Sequence, residues 1–464
     1  LESMSIDGWR IGLSFGWPYQ YGFSISSMTS PSVFIQELVN ITCVERYGVN
    51  LEKWQISLIW SFIVSIFCMG GLSLSALLAN SLISKFGRKK LLLLNNIPAL
   101  IGAVLMLLSK TAMSFEMIMA ARFLQGMNAG LGLITNTIYL VECAPKRLRG
   151  AVGVTVALFI SFGKFSGQLL GISELFGTRE RWPWLLGFTG LTSLLQLVTL
   201  PLLPESPSFL LLATGDQQAS LKRLWGDRNY QLEMEEMLKE KVMQKNAGTQ
   251  TVLQLLRNHD IRWQLLSVIV IFSSLQLCGI NAVYFYSYEV FRQVGIGEEN
   301  LRYAALGTGL CELSASSSLV SRTRSPQCCW VWNSTTVTFE NHYMYGLNLD
   351  SFAAGVSTPV PGELFTQAYK SAAFTVGTTV NWIGLFCVGM LFPILVEKID
   401  YFCFLIFLIF CVSTCLYMRF CFPEINNLSP LEIAAEFKKM HTKSEKTPSS
   451  LLTKYNGTIQ ETKF

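Results

Sequence analysis

The chain has 464 residues, of which 51% are hydrophobic and only 14% charged, and its formal net charge is +5. Mean hydropathy is +0.39. A soluble protein this apolar would lack the polar groups to cover its surface, whereas lipid tails solvate an apolar exterior. The composition excludes an ordinary soluble globule, and so modest a charge gives no nucleic-acid-binding signature.

A helix needs about 20 mainly apolar residues to cross the hydrocarbon core. Such spans fall near 11–30, 56–80, 91–110, 116–140, 151–172 and 184–203. A polar stretch covers about 204–262, and spans resume near 263–287, 303–320, 346–365, 372–396 and 400–422. Ser and Gly dilute the first, and those at 303–320 and 346–365 are weak. The pattern predicts an all-α polytopic membrane protein in a six-plus-five layout. An N-terminal bundle would occupy 1–203, a cytoplasmic loop 204–262 and a C-terminal bundle 263–422, with a degenerate segment at 314–360. A cytoplasmic tail would follow over 423–464, polar and disordered beyond about 436. No cleavable signal peptide is visible, and a start at Leu1 reads as an incomplete N-terminus.

Basic residues in short loops set orientation. Lys85, Arg88, Lys89 and Lys90 follow the second span; Lys146, Arg147 and Arg149 follow the fourth; the 204–262 stretch carries eight more. All lie on one side if the N-terminus is cytoplasmic. The opposite side then holds segment 31–55 with Asn40-Ile41-Thr42, an N-glycosylation sequon. A second sequon at Asn456 falls in the tail and would stay unmodified. Most of the 12 cysteines lie inside apolar runs without metal-ligand spacing and read as buried thiols. No cofactor or metal site is indicated.

Several short patterns sit at span ends. Ser84-Lys85-Phe86-Gly87-Arg88-Lys89 forms a basic turn after the second span. Arg122, Gly126, Gly130, Tyr139, Glu142, Pro145, Arg149 and Gly150 run along and beyond the fourth, and glycines four apart make a flat helix face for close packing. Pro204-Glu205-Ser206-Pro207 closes the sixth, and Pro423-Glu424 the last. In this order, the combination resembles the sugar porter family of the major facilitator superfamily, over residues 11–313 and 361–425. The resemblance implies two six-helix halves with a substrate site near the midplane, and alternating access as mechanism. It also implies a cytoplasmic latch built from Arg88, Arg122, Glu142, Arg149, Glu205, Glu363 and Glu424. The simpler reading of those charges is that they only set topology.

A sugar presents hydroxyls, and side-chain amides both donate to and accept from them. Gln168, Gln276, Asn281 and Asn381 lie within spans, where an amide facing lipid is costly. Each could instead serve an interhelical hydrogen bond. The resemblance makes them sugar contacts together with Trp382, Gln20 and Tyr21. It makes Tyr284, Phe285 and Tyr286 an external gate, although a bare aromatic stripe would read as packing. Leu275 before Gln276, and Thr358 where glucose-type members carry Trp, depart from the glucose class. The Leu277-Cys278-Gly279 run, Glu312 and Gln20-Tyr21-Gly22 resemble the second class, associated with fructose, with glucose in some members and urate in others.

Residues 314–360 fit the family poorly. No apolar run of spanning length exists between 321 and 345, where Cys328-Cys329-Trp330 and a third sequon at Asn333 stand instead. Eleven crossings would put the tail outside, yet Lys438, Lys439, Lys443 and Lys446 favour the inside. A segment entering and leaving one face resolves this; a splicing artefact or a decayed gene does so too, and the artefact is the expected one. Lys164 lies four residues before Gln168, on the same helical face. It reads as snorkelling or as a lineage-specific defect, or more sharply as an anion-attracting group near the cavity.

The expected function is facilitative hexose transport, of fructose or glucose, by a multi-pass plasma-membrane glycoprotein. Its partners would be the sugar and membrane lipid, without nucleic acid or an obligate protein partner. Competing readings are a non-transporting or decayed paralogue, acting as sensor or inactive membrane protein, and urate-type anion transport. A proton-coupled symporter is disfavoured because the first span has no acid between Trp17 and Val33. No enzyme chemistry is indicated, since His259, His342 and His441 lie outside the strong spans.

Overall fold

The computed structural model describes residues 16–143, 149–210, 252–322, 360–423 and 430–441, apart from positions 78, 208, 294, 366, 400 and 401. Among these the secondary structure is helical, with no strand. The N-terminal half comprises α1 (Trp17–Ser26), α2 (Ser32–Tyr47), α3 (Lys53–Leu77), α4 (Ala79–Phe86), α5 (Arg88–Ser109), α6 (Phe115–Cys143), α7 (Arg149–Leu170) and α8 (Trp182–Thr199). The C-terminal half comprises α9 (Val252–Arg257), α10 (Arg262–Leu277), α11 (Ile280–Gln293), α12 (Leu301–Arg322), α13 (Val360–Leu364), α14 (Gln367–Ile399) and α15 (Cys403–Cys421), followed by α16 (Pro430–His441).

Seven helices among the described residues are long and apolar enough to cross a membrane. α7 and α12 form at their expected places but are diluted by Ser, Lys164 and Glu312. Of the weak span near 346–365, only 360–365 is described, and it forms the five-residue α13. Segment 31–55, expected as an external connection, is largely the helix α2. Gly48 ends it in the left-handed region (φ 64°), with its N–H donated to Val44 O.

Exposed apolar side chains such as Val198, Trp184 and Phe420 cover the outside, as lipid contact requires. The two halves share a core in which Tyr21, Ile25 and Phe67 pack with Tyr284, Phe285, Trp382 and Phe392. The halves are bridged mainly by α3 with α14 and by α7 with α12, and α1 also meets α11. Within the N-terminal half, a Cβ on Gly126 would overlap Phe67 O, and one on Gly130 would overlap Gly71 O. The predicted flat glycine face is therefore the contact that seats α6 on α3.

Two expectations change at the ends of the C-terminal half. Leu255, within the stretch read as loop, is fully buried with Leu265, Phe272 and Leu364. The tail is helical through His441 rather than disordered from 436, because Ile433 and Phe437 stand four apart and bury themselves in that same cluster.

Candidate functional site

The site is built around a break in one helix. Gly279 adopts φ +85°, and this left-handed residue separates α10 from α11. A Cβ there would also lie 2.5 Å from the Phe407 ring. The break brings Gln276 and Asn281 within hydrogen-bond reach of each other. Asn281 Nδ2 donates to Gln276 Oε1 (2.8 Å), and Gln276 Nε2 donates to Asn381 Oδ1 on α14 (2.6 Å). Gln276 uses both ends of its amide, leaving Asn281 Oδ1 and the Asn381 N–H groups with capacity for hydroxyls.

Trp382 follows Asn381 and crosses to the N-terminal half. Its ring meets Tyr21 and Phe67 edge-on, each at 5.9 Å between centroids. A Cβ on Gly71 would lie 2.6 Å from the same ring. Tyr284, Phe285 and Tyr286, the residues expected to form a gate, are all buried. Thr29 Oγ1 donates to Tyr284 O (2.6 Å), and Tyr286 OH donates to Gly389 O (2.6 Å). α11 departs from helical geometry at Tyr286 (φ −128°, ψ 29°).

Gln168, on α7, donates to Thr308 Oγ1 on α12 (3.3 Å). It belongs to a polar seam along these antiparallel helices. One turn inward, Lys164 Nζ lies 3.1 and 3.2 Å from the two Glu312 carboxylate oxygens. Ser161 Oγ donates to Glu312 Oε1 (2.9 Å) and meets Ser316 Oγ at 2.8 Å. Tyr303 OH donates to Glu174 at the outer end (2.9 Å). Outside the spans, the Glu174 carboxyl is held below the usual carboxylate range, chiefly by its own backbone N–H and then by Tyr303. Lys164 is thus neither a snorkelling residue nor an anion-attracting charge, because Glu312 neutralises it. Sequence reasoning noted Glu312 only as a class marker and missed Thr308, Ser161 and Ser316. The available signal was that two opposite charges inside spans tend to pair.

Other expected residues go elsewhere. Gln20 Nε2 donates to Thr192 Oγ1 (2.9 Å) and Ser193 Oγ (2.7 Å) on α8, so its amide is turned into the N-terminal half and not toward Asn281. Arg122 does not meet the other charges expected in a cytoplasmic latch. At 1.5 Å per residue it lies roughly 30 Å along α6 from Glu142. Its guanidinium instead donates to Ser24 O (2.7 Å) and Val64 O (3.3 Å) and covers the Phe67 ring at 4.5 Å. Arg88 and Glu142 do pair (2.6 Å). Glu205 accepts from the backbone N–H groups of Arg88 and Lys89 (3.2 and 2.9 Å), and Ser206 Oγ donates to Glu142. The side chains of Arg149, Glu363 and Glu424 lie outside the described residues. Asn40 is exposed on α2, while Thr42 of its sequon donates to Met113 O (3.1 Å). Among the described residues no cluster of His, Cys, Asp and Glu could hold a metal ion.

A helix-only bundle of two halves, with amides at a broken helix between them, defines the class of membrane carriers. The fold resembles the proton:xylose symporter XylE bound to 6-bromo-6-deoxy-D-glucose (TM-score 0.74, 18% identity, 94% of this chain and 100% of that one). An inward-open XylE structure gives TM-score 0.70 at 16% identity, over 93% of this chain and 99% of that one. The Sugar (and other) transporter family matches residues 11–317 and 351–437. The chain is 36% identical to mouse solute carrier family 2, facilitated glucose transporter member 9, over 92% of this chain and 84% of that protein. It is 35% identical to human member 5, over 94% and 92%. The chain belongs to the sugar transporter family and has the major facilitator fold. The unmatched gap at 318–350 falls within the segment read as degenerate.

Proposed function

We propose that this chain is a facilitative hexose carrier of the plasma membrane, with fructose its leading substrate. The observation that carries the reading is the amide chain Asn281–Gln276–Asn381, neutral, with Gln276 and Asn281 buried and Asn381 partly buried, beside the Trp382 contact between the halves. Such groups bind an uncharged polyol without requiring a charge on it. Gln168 adds an amide from the opposite half, and Tyr284, Phe285 and Tyr286 close over the site. Alternating access then exposes the amides to either face as the halves rock. Leu275 and Thr358, where glucose-type members differ, favour fructose over glucose. Arg88, Glu142 and Glu205 stabilise one cytoplasmic arrangement, and the exposed Asn40 suits glycosylation. The non-transporting and urate-type readings gain no support, since the charge that prompted the latter is neutralised.

Radiolabelled fructose and glucose uptake in a transport-null host tests the proposal. Saturable fructose uptake, competed by unlabelled fructose, is the expected result. A surface-expressed chain that takes up neither sugar above the empty vector refutes it.

A further inference from the structure

Lys164–Glu312 is the most deeply buried ion pair among the described residues. Its side chains are 3% and 2% exposed. It joins α7 of one half to α12 of the other, so any rocking of the halves acts on it directly. Lys164 lies six residues from the outer end of α7, roughly 9 Å at 1.5 Å per residue, and fifteen from its inner end, roughly 22 Å. The pair therefore sits nearer the outer end of α7 than its inner end. Its ammonium also stands 4.4 Å from the centroid of the Tyr284 ring, whose backbone carbonyl accepts from Thr29 across the outer mouth. One cation thus touches the opposite half twice, through a carboxylate and through a gate aromatic.

We propose that Lys164 and Glu312 are positioning residues that hold the outer gate shut, with Lys164 tying Tyr284 to the seam between the halves. The physical reason is an asymmetry. Pulling apart a desolvated ion pair leaves two buried charges without countercharge unless water enters as the seam opens. Closure re-forms the pair in a dry seam. Gln168 lies one turn outward on the same face, bonded to Thr308, itself one turn from Glu312. A ligand that takes over the Gln168 amide loosens the neighbouring contact of the same seam. Sugar occupancy and gate opening are thereby linked. This link rests on the hexose-carrier reading, whereas the gate-holding role does not.

The test uses the full chain with Thr29→Cys as reporter, because Thr29 is 2% exposed and hydrogen-bonded across the closed mouth. An impermeant maleimide is applied outside, and the parent chain without Thr29→Cys supplies the background. Glu312→Gln and Lys164→Met should each speed labelling at least roughly tenfold, since loss of one partner of a buried pair is strongly destabilising. The charge exchange K164E/E312K should bring labelling back to within about threefold of the parent rate, because the pair is restored in reverse. Should the single variants fail to reach the surface, Lys164→Arg and Glu312→Asp are read instead. They keep charge but alter reach, and an accelerated rate in either supports the proposal. Labelling rates unchanged in the singles, or in these conservative variants when they are the ones read, overturn it. An exchange no better than the singles also overturns it. Labelling needs no transported sugar, so a chain that fails the hexose-uptake test still decides this inference.

Discussion

At the residue scale the sugar-site proposal makes its sharpest demand on Asn281. Asn281→Ala removes the donor to Gln276 and an acceptor with capacity for a sugar hydroxyl. The net worth of such a bond is about 1 kcal/mol, so the KM for fructose should rise about fivefold, with surface expression unchanged. Uptake kinetics beside surface biotinylation check this, and an unchanged KM would remove Asn281 from the site. Arg122 carries a different demand. Its guanidinium reaches two backbone carbonyls on α1 and α3 at once, which a lysine point charge cannot reproduce. Arg122→Lys should therefore lower stability by about 2 kcal/mol, read as a fall in melting temperature of the purified chain, with the Arg88–Glu142 ion pair untouched. These two residues mark how far the sequence could be read. A polar atom in an apolar helix must face inward, a rule that suits Gln168, Gln276, Asn281 and Asn381, although it was the family resemblance that singled them out. The rule does not say which interior. Gln20 obeys it by turning into the core of its own half, and Arg122 by capping carbonyls far from the cytoplasmic face. Sequence spacing gives a side chain its angle around the helix, but its partner depends on which helix comes to lie opposite.

At the scale of elements, the glycine face of α6 was legible and the tail helix was not. Gly126 and Gly130 repeat at one turn, and the absence of side chains there has one efficient use in a membrane, which is backbone contact. Gly126→Val would push α6 off Phe67 O, a displacement that neighbouring side chains cannot absorb because the obstacle is backbone. Overpacking of this kind costs about 1–3 kcal/mol, so the variant should lose surface expression and elute as aggregate in detergent, while Gly297→Val, in open space, should not. Monodisperse elution of Gly126→Val with normal uptake would show that the helices are not held by this contact. α16 escaped notice because its average composition is polar, and averages hide a face. Two apolar residues four apart, Ile433 and Phe437, are enough to anchor it once Leu255 and Leu364 supply a partner surface. The break at Gly279 was visible as a Leu-Cys-Gly run, but not as the device that brings Gln276 and Asn281 together. That role depends on a positive φ, which glycine permits and does not compel.

At the scale of the whole molecule, the halves meet along two seams of opposite character. The α7–α12 seam is polar, with Gln168–Thr308, Lys164–Glu312 and Ser161–Ser316 in register. The α3–α14 seam is aromatic, with Trp382 wedged against Tyr21, Phe67 and the bare surface of Gly71. Four N-terminal helices long and apolar enough to cross a membrane could be read from hydropathy. The asymmetry of the seams could not, because it arises from pairing between segments about 150 to 300 residues apart, and hydropathy is a local quantity. The asymmetry has a consequence for movement. A polar seam can exchange its hydrogen bonds for water as it opens, whereas an aromatic seam loses its contacts and gains nothing from water. The aromatic seam should then act as the fulcrum and the polar seam as the side that opens. Trp382→Ala would remove the wedge and leave a cavity costing about 3–5 kcal/mol. A fulcrum of that kind should tolerate Trp382→Phe, which keeps a ring between Tyr21 and Phe67. The expected outcome is near-complete loss of fructose uptake and lowered thermal stability for Trp382→Ala, with Trp382→Phe retaining at least roughly a third of the parent rate, since a ring-for-ring change forfeits only part of the packing. If Trp382→Phe proves as inactive as Trp382→Ala at equal stability, the indole acts on the sugar itself and not as the fulcrum between the halves.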